Sequence, residues 1–227
     1  PCAMMGPYDP QTVFSSIDDS GRYSYGNQPV ITQWNMARFA EALLPLVDDD
    51  SAKAVKLVEP LIRDFTTQYE EAYYQMMSNK LGIANAKPKT ITNTKRALID
   101  QLLEIMHSNN LDYTQTFISL MSQLDPSLAS DHNDEINHVL FAWYPKWRAL
   151  IQSDIGLAQM RKSNPLVIPR NHHIETVLED CQLNCTTEQA EKLLKVLRSP
   201  YQKQAETADY QDLNDHHDKN YQTFCGT

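Results

Sequence analysis

The sequence contains no uninterrupted apolar run of the ~18 to 20 residues that a membrane-spanning helix needs. Its first residues have neither the basic head nor the apolar stretch of a secretory signal. Cations are in the minority, with 20 Lys and Arg against 29 Asp and Glu and a formal net charge of −9. Binding to a phosphate backbone depends on clustered cations. The only basic groupings, Lys87-Pro88-Lys89 with Lys95-Arg96 and Arg161-Lys162, read as solvated helix ends. Neither nucleic acid nor a membrane is therefore expected as a partner. Four Cys in 227 residues are too sparse for a secreted disulfide scaffold, which points to a reducing, cytoplasmic setting. There are only 6 Gly, and no stretch alternates apolar and polar residues as a half-buried strand would.

Motifs of chemistry are also missing. There is no glycine-rich phosphate loop, no nucleophile elbow and no His-Glu-x-x-His. The acidic runs Asp48-Asp49-Asp50 and Asp131-His132-Asn133-Asp134-Glu135 lack the alternating oxygen ligands and internal Gly of an EF-hand. His172-His173, His216-His217 and Cys181-x3-Cys185 do not form matched ligand pairs, and adjacent histidines on a helix point about 100° apart. No metal site is expected. On its own motifs the chain carries no catalytic or cofactor-binding residues.

What is present is helix, and 41% hydrophobic residues suffice for a core. From Gly21 to Leu46 a polar, aromatic turn passes through Asn27-Gln28-Pro29 into an apolar-periodic helix carrying Ile31, Trp34, Phe39, Leu43 and Leu44. The spacing predicts a buried helix around which the chain is organised, with Trp34 in the core and a break at Pro45. Ser51 can cap a second helix, kinked at Pro60 and ended by Gly82. Thr92 or Asn93 opens a third. Asp112 to Gln115 has capping-box spacing ahead of Phe117 and Leu120. A helix with Trp143 and Trp147 is expected to bend or stop at Pro145. Asn164 to Pro169 is an extended crossing, Ile174 to Cys181 is helical, and Thr186-Thr187-Glu188-Gln189 opens a last helix that runs to Pro200. The expectation is an all-α, irregular multi-helix bundle of seven to nine helices: a loop over 1–29, a helical domain over 30–200 and a polar tail over 201–227.

Arg22-Tyr23-Ser24-Tyr25 with Gln28 is the most suggestive polar cluster. Either Arg22 steadies phosphate oxygens bidentately, or it pairs with Asp9 or Asp19 and fixes the loop while the tyrosines pack on the core. Ser15, Ser16, Tyr23 and Tyr25 are also candidate self-modification sites.

Pro1-Cys2, Tyr8-Asp9-Pro10, Gly21-Arg22-Tyr23-Ser24-Tyr25, Gln28-Pro29 and Trp34-Asn35 occur in the order seen in one known family. Asn164-Pro165-Leu166-Val167-Ile168-Pro169-Arg170-Asn171-His172 and the end from Tyr221 to Thr227 match it as well. The chain resembles the selenoprotein O (SelO) family of kinase-fold (pseudokinase) protein adenylyltransferases. That resemblance implies a parent enzyme that moves AMP from ATP, with Mg²⁺, onto Ser, Thr or Tyr hydroxyls of protein substrates. It also implies that the phosphate-binding, catalytic and metal-binding motifs precede residue 1, so that this piece alone is inactive and binds no cofactor. Residues 1–29 would be the activation segment, and the helices would be the helical part of a kinase-like C-lobe plus a C-terminal extension. The partner of this region would be the N-terminal catalytic portion of the same protein. The family carries Cys or selenocysteine near its end, which makes Cys2 and Cys225 a candidate redox pair. The alternative is a stand-alone acidic helical interaction module.

Overall fold

The computed structural model describes residues 4–83 and 91–213. Among them lie nine α-helices: α1 (Gln28–Val47), α2 (Ser51–Lys80), α3 (Asn93–Ser108), α4 (Tyr113–Ser122), α5 (Asn133–Leu140), α6 (Tyr144–Arg148), α7 (Ser153–Ser163), α8 (Asn171–Asn184) and α9 (Glu188–Leu197). The described residues contain no strand, only one isolated bridge between Pro7 and Asp112. The fold is all-α, as the composition and periodicity predict. No helix among these residues is long and apolar enough to cross a membrane.

Local chemistry accounts for several helix ends. The Thr92 side chain accepts from the Lys95 amide and the Asp112 carboxylate from the Gln115 amide, each satisfying one of the amides a helix start leaves free. The cap of α2 is Asp50, one residue before the expected Ser51, and its carboxylate serves the amides of Ala52 and Lys53. At α9 the Thr186 hydroxyl accepts from the Glu188 amide at 3.3 Å and the Thr187 hydroxyl turns to the Glu191 carboxylate, a different arrangement from the expected capping box of Thr186 with Gln189. Pro45 lies inside α1, which runs on to Val47, and Pro60 lies inside α2, which runs on to Lys80. Pro145 falls in the first turn of α6, where a missing N–H costs nothing.

The core is not where the first apolar stripe suggests. Trp34 is 49% exposed and Phe39 66%, and Ile31 is the one buried residue of α1. α1 packs against the N-terminal half of α2, through Ala37, Ala40 and Leu44 facing Val55, Val58 and Ile62. Much of its remaining apolar face, including Trp34, Phe39 and Leu46, is exposed. The stripe satisfies helical periodicity, but a neighbouring layer is what buries such a face, and α2 covers only part of it.

The core instead forms where the C-terminal end of α2 meets α3, α4, α6 and α7. Trp143 and Trp147 are stacked 6.1 Å apart and almost wholly buried. A buried indole needs an acceptor: Trp143 Nε1 donates to the Leu98 carbonyl at 3.1 Å and Trp147 Nε1 to the Leu81 carbonyl at 2.8 Å. Leu81 follows the last turn of α2, so Trp147 and the Asn164 amide, which donates to the Lys80 carbonyl at 2.8 Å, cap carbonyls that the helix end leaves free. Gly82 then takes a left-handed φ of 66°, as expected of a helix-ending glycine. A Cβ on Gly82 would lie 2.7 Å from the Gly156 carbonyl oxygen, and one on Gly156 2.7 Å from that of Gly82. Backbone therefore meets backbone where α2 and α7 touch.

Candidate functional site

The loop before α1 is held by main-chain bonds at both ends. The Tyr8 amide donates to Leu111 at 2.9 Å and the Tyr113 amide to Gly6 at 2.8 Å, which ties the loop to the start of α4. Its return limb closes on the outgoing one, with Tyr25 donating to Thr12 at 2.9 Å and Gly26 to Pro10 at 2.8 Å. A side chain at Gly26 would sit 3.0 Å from the Pro10 carbonyl, a tight contact that glycine avoids. Asp18 folds the tip: its two carboxylate oxygens accept from the amides of Arg22 and Tyr23 at 2.9 and 2.7 Å.

Tyr8 meets Tyr25 edge-to-face and also packs on Tyr113, both at 6.0 Å, and Tyr113 packs edge-on against Phe117 at 5.1 Å. Burial pushes the Tyr8 phenol up to about 12 and raises Tyr25, Tyr73 and Tyr113 as well. These hydroxyls stay neutral near pH 7, and their rings pack the loop against α4.

Two cavities flank this arrangement. One, of about 410 Å³, has Met5, Tyr25, Gln28, Lys80, Phe117 and Asn164 in its wall. The other, of about 680 Å³, has Asp18, Arg22, Tyr23, Gln28, Ile31 and Asn35. Gln28 borders both. Lys80 lies over the rings of Phe117 at 4.2 Å and Tyr113 at 5.1 Å, and burial lowers its ammonium to about 8.

The structure brings together Arg22, Tyr23, Gln28 and Asn35 around the larger cavity. The Arg22 guanidinium stacks on Trp34 at 4.7 Å and forms no ion pair with Asp9 or Asp19 among the described residues. Trp34 acts here as a surface platform, with Arg38 on the same ring at 5.6 Å. Tyr23 is exposed, whereas Tyr25 belongs to the tyrosine cluster. Cys2 and Cys225 lie outside the described residues. Cys181 is half-buried and Cys185 exposed, and both are free thiols; Cys185 ends α8 in a left-handed conformation.

Three features escape a reading of the sequence: Lys80, the buried pair of Arg170 with Asp112, and the meeting of His172 and His173 with Asp212. Asp112 is legible as a cap and Arg170 lies in the matched Asn164 to His172 run, but nothing local signals that they meet. Residues after α9 pack back onto this region. Gln115 Nε2 donates to the Gln211 carbonyl at 2.8 Å, Gln211 Nε2 to that of Leu166 at 2.9 Å, and the Leu166 amide to Pro200 at 2.7 Å.

The described residues thus define an all-α platform that presents an ordered, tyrosine-anchored loop beside two cavities. A family model described as "Protein adenylyltransferase SelO" matches residues 1–198, and the chain belongs to that family. It is similar to a protein named protein nucleotidyltransferase YdiU from Teredinibacter turnerae, 42% identical over 233 residues, covering 100% of this chain and 46% of that protein. Proteins of the same name from Pseudoalteromonas translucida and Halalkalibacterium halodurans are 40% and 41% identical, again over 100% of this chain and over 46% and 45% of theirs. The chain spans about half the length of these relatives.

Proposed function

We propose that this chain is the C-terminal helical region of a protein adenylyltransferase that transfers AMP from ATP to Ser, Thr or Tyr hydroxyls of proteins, in a cytoplasmic setting. The observation that carries this reading is the family match over residues 1–198. In this reading residues 4–28 act as the activation segment, ordered by the tyrosine cluster and by Asp18. The helices correspond to the helical part of a kinase-like C-lobe with its extension. Arg22, held over Trp34 beside the larger cavity, offers its N–H groups to phosphate oxygens. The catalytic portion of the same protein covers the apolar face left open by Trp34, Phe39 and Leu46.

Mg²⁺ takes oxygen ligands in a near-octahedral array. Asp18 is the carboxylate in the wall of the larger cavity, and both its oxygens are committed to backbone amides. In this reading the nucleotide and its metal belong to the catalytic portion.

The experiment is incubation with labelled ATP and Mg²⁺. This chain alone is expected to transfer no AMP to itself or to added protein, whereas a chain extended to the length of the relatives does. Transfer by this chain alone that survives repurification overturns the assignment of chemistry to the other portion, and no transfer by the extended chain overturns the adenylyltransferase reading. Cys2 and Cys225 remain a proposed redox pair, tested by alkylation and peptide mapping under mild oxidant. A linked pair supports it, and full labelling of both thiols removes it.

A further inference from the structure

We propose that His172, His173 and Asp212 form a site for one divalent transition ion of the zinc class, which clips the segment after α9 onto the first turn of α8. One nitrogen from each imidazole and one oxygen from the carboxylate all lie within 4.8 Å of one another. His173 Nε2 is 2.7 Å from Asp212 Oδ1, and His172 Nε2 is 3.4 Å from Asp212 Oδ2. Two ligands of a tetrahedral ion with bonds of ~2.0 to 2.1 Å are about 3.3 Å apart, so the observed spacings need only small side-chain adjustments. The rings are 4.1 Å apart between centroids and inclined at 44°. Side-chain rotation thus brings together nitrogens that adjacent positions on an ideal helix would send apart.

The surroundings suit an ion with one open face. The two histidine side chains are 9% and 14% exposed and Asp212 is 58% exposed, so protein lies on the imidazole side and water can complete the coordination past the carboxylate. Tyr210 packs edge-on against His173 at 5.2 Å and fixes its ring plane. Two charges oppose a cation. Arg170 is neutralised by its bidentate bond to Asp112, and the positive end of the α8 dipole weakens binding by only about two- to fivefold. Two nitrogens and one oxygen select a borderline transition ion over Mg²⁺ or Ca²⁺, which take oxygen ligands.

The test uses the whole chain after chelator treatment, titrated with Co²⁺ as a visible probe and then with Zn²⁺. The expected result is one bound Co²⁺ with the intense visible bands of a low-coordinate ion, displaced by one Zn²⁺, together with a higher Tm in zinc. Loss of outer-shell partners alone costs 10- to 100-fold in metal affinity. Asp212→Asn and His173→Gln, which each remove a ligand, should therefore weaken binding more than about 100-fold and abolish the zinc-dependent rise in Tm, while His138→Gln, at an exposed histidine on α5, changes neither. Absence of stoichiometric binding in the unmodified chain means that Asp212 and the histidines form a hydrogen-bonded staple only, and overturns the proposal. Binding that persists unchanged in both ligand variants places the ion elsewhere and overturns it too.

Discussion

Arg170 closes a bidentate ion pair on Asp112, with nitrogen–oxygen distances of 2.9 and 3.0 Å, and both side chains are 3% exposed. The same carboxylate caps α4, and its residue bridges to Pro7 at the base of the loop. One residue thus joins the extended crossing before α8 and the start of α4 through its carboxylate, and the loop before α1 through its main chain.

Breaking a buried pair by removing one partner costs about 3 to 5 kcal/mol, because the other charge is left unpaired. Arg170→Met and Asp112→Leu should each lower the denaturant midpoint by that order, and the double variant should lose less than the two single losses added together. Additive losses in the cycle would show that the two groups are not energetically coupled.

Trp147→Ala should cost about 3 to 5 kcal/mol, as large-to-small changes of buried aromatics do. Trp34→Ala should cost about 1 kcal/mol or less, the worth of its exposed cation–π contacts. Chemical denaturation of both variants at matched m-values is the check, and a Trp34 loss comparable to that of Trp147 would contradict the exposed position of α1.

Lys80 gives a pH signature whose sign is fixed. Its folded pKa, near 8, lies below the ordinary value of 10.5. Between these limits the unfolded chain binds the proton that the native chain has released, so stability rises with pH. The gain is on the order of 2 to 3 kcal/mol from pH 8 to 10. Above pH 10 the opposite trend begins, because buried tyrosines such as Tyr8, pushed up to about 12, stay protonated only in the native state. Urea midpoints across pH 7 to 10 should show the rise in the unmodified chain and a flat profile in Lys80→Met. A falling profile in the unmodified chain would place the ammonium in water.

What was legible in the sequence is what a few neighbouring residues decide. Thr92, Asp112 and Gly82 mark helix ends because caps and left-handed turns are local events, and the all-α fold follows from periodicity and scarce glycine. The choice of core was not legible. The α1 stripe with Trp34 and Phe39 has proper spacing yet stays largely open, because periodicity shows that a face exists and not what lies against it. α4 shows the reverse: it is buried from Thr114 to Ser122 although it carries Thr116 and Ser119, whose hydroxyls turn to the Asp112 carbonyl and to Asn137. At the candidate site, Arg22 and Gln28 could be read from the loop itself. The partners of Lys80, Arg170 and His173 could not, since each lies on an element far away along the chain.

Gly82 and Gly156 meet with no side chain between them, and this bears on how tolerance to substitution should be read across the molecule. At most buried positions a larger residue can be accommodated by trimming a neighbour. Here each meets the main chain of the other, with the Ile151 side chain also against Gly156, so neither glycine has a compensating change available in the other. A saturation screen should find these two positions among the least permissive in the chain, although they lie apart from both cavities. Intolerance at such a pair would report the closeness of two backbones rather than a place where chemistry happens.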